Sequence, residues 1–151
     1  MPKYLSTKQF GHELGISCAF RQWRADHSHC SKIHGYALAF KFTFEAEELD
    51  QRNWVQDFGG LKDLKQAIMN TFDHKLVIAS DDPAKDLFEQ MHKARVADVV
   101  ILPAVGCEKF AKYAYAIAVD VLKLEYDNRV RLVGVEVKEH GANSAIYLPD
   151  A

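Results

Sequence analysis

Three small groups of residues carry side chains able to do chemistry. The densest is His27-Ser28-His29-Cys30-Ser31-Lys32-Ile33-His34-Gly35-Tyr36, which puts one thiol within four residues of three imidazoles and a lysine. A thiol acts as nucleophile or base through its thiolate, a form that basic and cationic neighbours favour. The same stretch also reads as a solvated, histidine-rich loop, and the residues alone leave both readings open. The second group is Phe72-Asp73-His74-Lys75. An aspartate beside a histidine can orient or charge the imidazole for general-acid work. Adjacent side chains on a helix diverge, however, so the pair equally fits a helix-terminal histidine next to a surface carboxylate. The third is a single carboxylate, Glu139, which follows Val133, Val135 and Val137 at alternate positions. Burying a carboxylate is costly unless it is paired or hydrogen-bonded. Either the strand emerges into water at Glu139, or Glu139 faces a pocket and grips a ring bearing adjacent N–H donors.

These groups must be positioned by elements that the hydrophobic pattern predicts. Over residues 38–45, Leu38, Phe40, Phe42 and Phe44 share one parity while Lys41, Thr43 and Glu45 share the other. That alternation predicts a strand with one buried face. The mixed stretch 5–20 is read as its antiparallel partner, with a polar loop over 21–33 between them. After Asp57-Phe58-Gly59-Gly60, the spacing of Leu61, Leu64, Ile68 and Phe72 predicts a helix. A short helix with Leu87 and Met91 starts near Pro83, proline being favoured in a first helical turn. Residues 99–102 form a short strand or an extended connection. Phe110, Tyr113, Ile117, Val121 and Leu124 predict a helix over 108–124, and strands follow over 129–139 and 142–148 with a turn near Gly141. The order β-β-α-α-β-β, with segregated elements, argues for an α+β fold with an antiparallel sheet and helices on one face. The sequence carries no glycine-rich phosphate loop.

Composition narrows the function classes. A length of 151 residues fits one domain over 1–151. With 19 basic and 21 acidic residues, a net charge of -2 offers no excess for nucleic acid or a membrane surface. Apolar runs are short of a membrane span. The first residues hold no hydrophobic signal core, which implies a cytoplasmic chain. The three cysteines, Cys18, Cys30 and Cys107, are expected to be free thiols.

In order along the chain, these pieces resemble the 6-pyruvoyl-tetrahydropterin synthase family, including its bacterial 6-carboxy-tetrahydropterin synthases. The family's Cys, three intervening residues and His-Gly-His is met by Cys30 and His34-Gly35-Tyr36. Its Asp-Phe before a helix is met by Asp57-Phe58, and its Asp-His pair by Asp73-His74. Its Pro-Thr-Ser-Glu helix start is met loosely by Val105-Gly106-Cys107-Glu108, and its late Lys-Glu by Lys138-Glu139.

The resemblance implies the tunnelling fold: a four-stranded antiparallel sheet with two main helices on one face. It also implies sheets joined between subunits into a β-barrel, most often a homo-hexamer of two stacked trimers, with the pterin site between subunits. By the same resemblance Cys30 is the base or proton shuttle, and Asp73 and His74 complete the relay. Glu139 holds the pterin through its 2-amino group and a ring N–H, and Cys107 and Glu108 add substrate contacts. The implied activity is a carbon–oxygen lyase acting on dihydroneopterin triphosphate or a related pterin, in queuosine, tetrahydrobiopterin or folate-type pathways that the sequence does not separate.

The departures fall on the metal. The family holds zinc with three histidines, and the corresponding positions here are Phe20, His34 and Tyr36. One imidazole does not hold zinc. A relocated site would need His27 and His29 to join His34. The other reading is a chain that binds no zinc: a divergent enzyme, or a pterin- or purine-binding relative without lyase chemistry. Metal content and an assay with dihydroneopterin triphosphate separate the two.

Overall fold

The alternating phenylalanines build the central strand. The computed structural model describes residues 1–124 and 128–150. In it, β3 (His34–Ala46) buries Leu38, Phe40, Phe42 and Phe44 completely. Strand β1 (Tyr4–Phe10) pairs antiparallel with the far half of β3, and β2 (Ile16–Phe20) antiparallel with its near half. The expected single partner over 5–20 is therefore two strands. A short 3-10 turn, His12–Leu14, breaks it, and Gly15 at φ +64 closes that turn in the left-handed region where a Cβ is penalised. The His12 ring bonds the Ala37 carbonyl at 2.5 Å and pins the break to β3.

Beyond β3, β6 (Arg131–His140) and β7 (Asn143–Tyr147) continue antiparallel. On the other side β4 (Lys75–Ala79) runs parallel to β2, and β5 (Val99–Leu102) parallel to β4. Among the described residues the sheet thus has seven strands, in the order β5-β4-β2-β3-β6-β7 with β1 also on β3, rather than four. The four expected antiparallel strands lie within it, one of them broken. Strand β4 escaped the sequence reading because Leu76, Val77, Ile78 and Ala79 are all buried. A parallel strand covered on both faces shows no alternation.

Among the described residues three α-helices pack on this sheet: the two main ones expected and the short one expected near Pro83. In α1 (Lys62–Phe72) the residues Leu64, Ile68 and Phe72 are fully buried, with Leu61 just ahead, as their spacing predicts. Helix α2 (Lys85–Lys93) lies on β4 and β5 and is anchored by Phe88, while Leu87 is exposed. Helix α3 (Cys107–Leu122) lies against α1, β6 and β7. Its buried stripe is Phe110, Ala111, Ala114 and Ala118, and Tyr113 is exposed. Small alanines let the helix approach the sheet closely, so the bulky residues that marked the helix do not mark its buried face. Phe20, Phe110, Phe72 and Phe40 pack ring on ring at centroid spacings of 5.0 to 5.1 Å, the first two contacts edge to face and Phe72–Phe40 tilted, tying the sheet to α1 and α3.

Strand β6 has two irregularities, and both bear on Glu139. The pairing with β3 shifts at Thr43/Phe44, opposite Gly134 and Leu132, which leaves Val133 unpaired. Leu132, Val135 and Val137 are the buried large apolar residues of β6, so Val133 does not share their face as strict alternation predicted. The pairing with β7 shifts again between Lys138 and His140, placing Glu139 on a bulge. Bulges re-aim side chains at sheet ends. Among the described residues no helix is long and apolar enough to cross a membrane.

Candidate functional site

The loop over 21–33 is held at its root by two residues that follow β2. Arg21 donates through Nε and one terminal nitrogen to both oxygens of Asp82, at 2.9 and 2.6 Å, and through the other to the Ser31 carbonyl at 3.1 Å. Asp82 is 4% exposed, and it also accepts from the Ala84 N–H at 2.8 Å. The Arg21 hydrogen bonds hold its carboxyl below the usual carboxylate range. Gln22 receives the loop from the other side: its backbone N–H donates to the Cys30 carbonyl at 2.7 Å, and its side-chain amide donates to the Val105 carbonyl at 3.1 Å. Gly106, at φ +107, lets that amide sit there; a Cβ would lie 2.1 Å from the Gln22 nitrogen. Gln22 therefore ties the thiol-bearing turn to the start of α3. Sequence reading missed Arg21, Gln22 and Asp82, because partners 61 and 83 positions apart leave no local pattern.

Cys30 sits in a 3-10 turn, His29–Ser31, started by the Ser28 hydroxyl, which accepts from the Cys30 N–H at 3.2 Å. The thiol is exposed, while Cys18 and Cys107 are buried and free. Burial drives both buried thiols up to about 12; Cys107 also faces the negative charge of Glu139 and Glu108, and Cys18 lies near the Cys107 thiol. Cys107 accepts from the backbone N–H of Glu139, which joins the first residue of α3 to the bulge of β6. Glu108 is exposed on the next position.

Glu139 is half-buried at this junction, not in open solvent. The Tyr36 phenol faces its carboxylate, and burial first, then Glu139, holds the phenol above its usual range. Cys30 also lies close to Tyr36. One end of the sheet thus gathers Cys30, Tyr36, Cys107, Glu108 and Glu139: two thiols, a phenol and two carboxylates around the start of a helix.

Asp73 and His74 lie elsewhere in the subunit. The Asp73 carboxylate accepts from the Ser17 N–H at 3.0 Å and meets His74 Nδ1 at 2.9 Å. His74 has φ +60, uncommon for a residue with a side chain, and its N–H donates to the Ser17 carbonyl at 2.6 Å. Its imidazole is 81% exposed, held on one side by the carboxylate and open on the other. The pair is thus not a loose terminal histidine beside a surface acid. Three residues of strand, about 10 Å, separate Ser17 from Phe20, where the Cys30 loop begins. Among the described residues no hydrogen bond or ion pair joins Asp73 or His74 to Cys30, Glu108 or Glu139.

A zinc ion does not fit the family's ligand positions. Phe20 offers only carbon, and Tyr36 is a phenol held protonated. His34 commits Nδ1 to the Lys32 carbonyl at 2.8 Å, leaving one imidazole nitrogen. Nor are His27 and His29 gathered with His34: among the described residues no three His, Cys, Asp or Glu side chains form a group that could hold a metal.

An α+β protein whose curled sheet presents a thiol, a phenol and a half-buried carboxylate at the start of a helix defines a class of small-molecule site. The model of the 6-pyruvoyl tetrahydropterin synthase family matches residues 11–150, and the chain belongs to that family. It is 25% identical over 127 residues to a 6-carboxy-5,6,7,8-tetrahydropterin synthase of Aquifex aeolicus, covering 78% of this chain and 75% of the relative. An uncharacterised protein of Wolinella succinogenes has the same fold at a TM-score of 0.79 and 19% identity, over 99% of this chain and all of that one. A 6-pyruvoyltetrahydropterin synthase of Plasmodium vivax superposes at a TM-score of 0.72 and 13% identity, over the whole of both chains. Family membership supports a tetrahydropterin-synthase-like function.

Proposed function

We propose that this chain is a tetrahydropterin-synthase-type carbon–oxygen lyase acting on dihydroneopterin triphosphate or a close pterin. The observation that carries this reading is the half-buried Glu139, re-aimed by a bulge and set beside Tyr36, Cys107 and Cys30. A carboxylate there accepts from the 2-amino group and a ring N–H of a pterin by a two-pronged, charge-assisted pair. Glu108, exposed on the first turn of α3, and Cys107 add contacts along the ring. Cys30, on a fixed turn and open to solvent, takes a proton from a side-chain carbon, while the triphosphate departs with the electrons of its carbon–oxygen bond. Asp73 holds His74, whose free ring edge returns or relays the proton.

One subunit does not join these two halves. The reading therefore places the site between subunits, with Asp73–His74 of one beside Cys30 and Glu139 of the next. Open edges at β5, β7 and the free flank of β1 support such an assembly, since edge pairing into a closed barrel removes them. A homo-hexamer is the form proposed. No step is routed through zinc, because the donor set at the family's position does not hold it.

The test is incubation of the purified chain with dihydroneopterin triphosphate, with products followed by mass spectrometry. Release of inorganic triphosphate, lost in Cys30→Ala, supports the lyase. Binding without turnover in wild type favours the second reading, a pterin-binding relative, for which the absent metal ligands speak.

A further inference from the structure

The three positions that hold the metal elsewhere in the family are here one aromatic cluster. Registers Phe20↔His34 and Cys18↔Tyr36 on adjacent strands put Phe20, His34 and Tyr36 side by side. Alternate residues of a strand share a face, so all three project to the side of Ile16 and Leu38. Ring centroids lie 5.1 Å apart for Phe20–His34, 5.3 Å for His34–Tyr36 and 6.1 Å for Phe20–Tyr36. Phe20 is 3% exposed and is backed by Phe110 at 5.1 Å, so it cannot swing away to admit an ion. Tyr36 is half-buried and extends the cluster to His140 at 6.0 Å. These spacings and tilts are those of attractive ring pairs. A dication in that space would face ring edges and one imidazole nitrogen instead of the three protein ligands it needs.

We infer that this cluster is a metal-independent wall for a planar heteroaromatic ligand, with the Tyr36 hydroxyl as a hydrogen-bond partner at the ligand edge shared with Glu139. The inference rests on the pterin reading for the identity of the ring. Its metal-independence rests on the donor set alone. His34 and Tyr36 are the partly exposed rings that a flat heterocycle can lie against, buried Phe20 holds them from behind, and the phenol supplies the directional contact.

The experiment uses the full chain, purified without chelator. Zinc content is measured by inductively coupled plasma analysis, zinc chloride is titrated by calorimetry, and neopterin binding is followed by fluorescence with and without EDTA. The expected result is zinc far below one per chain, no saturable zinc heat at micromolar concentration, and the same neopterin affinity in both buffers. Tyr36→Phe keeps the ring and loses one hydrogen bond, so neopterin affinity should fall about fivefold, with the melting curve of the variant checking its fold. The double change Phe20→His with Tyr36→His should create saturable zinc binding. One tightly held zinc per wild-type chain, or neopterin affinity that collapses in EDTA, overturns the metal-independent wall. Unchanged affinity in folded Tyr36→Phe overturns the role given to the hydroxyl. Absence of neopterin binding in wild type under every condition overturns the pterin reading and the ring-binding wall with it, while the zinc titration still decides whether the position takes metal.

Discussion

Glu139→Gln is the substitution that separates a pterin anchor from a strand end. The two side chains have the same shape, so the bulge at residue 139 and the backbone N–H that it gives Cys107 are kept. What changes is one carboxylate oxygen, replaced by an NH2 that donates. Toward a ring edge carrying an amino group and a ring N–H, this removes an acceptor and sets donor against donor. A hydrogen bond to a charged group contributes about 1.5–3 kcal/mol. Glu139 is half-buried, so solvent screens part of that, and the lower half of the range applies. The affinity for neopterin should fall between about tenfold and fortyfold, since 1.4 kcal/mol is about a factor of ten. Calorimetric or fluorescence titration reads this, with thermal melting of both proteins as the control for folding. Unchanged affinity in a folded Glu139→Gln protein refutes the anchor and returns Glu139 to a strand end beside a tyrosine.

Further outcomes follow from the same geometry. Arg21→Ala strands a carboxylate that is 4% exposed, so it should cost about 3 kcal/mol in urea unfolding at pH 7. Because Arg21 depresses the Asp82 carboxyl, the contribution is complete above the unfolded value near ~3.9 and is lost as pH falls through the folded one. The gap between wild type and variant should therefore close as pH falls below about 4, and a gap independent of pH would contradict the pairing. Brief alkylation at pH 8 should label Cys30 first, because Cys18 and Cys107 are buried with thiols pushed up to about 12; first labelling of either by mass spectrometry would reverse the ranking. His74→Val should lose about 1–2 kcal/mol at φ +60, where a β-branched residue is strained. His74→Gly should hold or gain stability while removing the imidazole, and equal stabilities for the two variants would deny the left-handed backbone at this position.

How much of this was legible in the sequence depended on whether the signal was local. The alternation Leu38 to Phe44 gave the central strand, and the spacing of Leu61, Leu64, Ile68 and Phe72 gave α1, because each buries one face of a regular element. Strand β4 was not legible, since it is apolar on both faces. The break between β1 and β2 is made by a five-residue turn that hydrophobic counting does not see. Glu139 emerged from parity, although by a path the structure amends: Val133 is out of step, and a second bulge sets the carboxylate's direction. Tyr36 stood out in the sequence only as a missing histidine. Its place beside Glu139 depends on β3 and β6 being neighbours, and the Arg21–Asp82 pair depends on the loop over 21–33 meeting the β4–α2 turn. Such pairings exist only once the chain has folded.

A crystal structure of the chain with bound neopterin tests the central proposal most directly. The account predicts the pterin between two subunits, its 2-amino group and ring N–H on the Glu139 carboxylate, its plane against His34 and Tyr36, and Asp73–His74 of the adjoining subunit beside the side chain opposite Cys30. A pterin bound away from Glu139, or a monomer whose Asp73–His74 faces only solvent with the ligand in place, would contradict it.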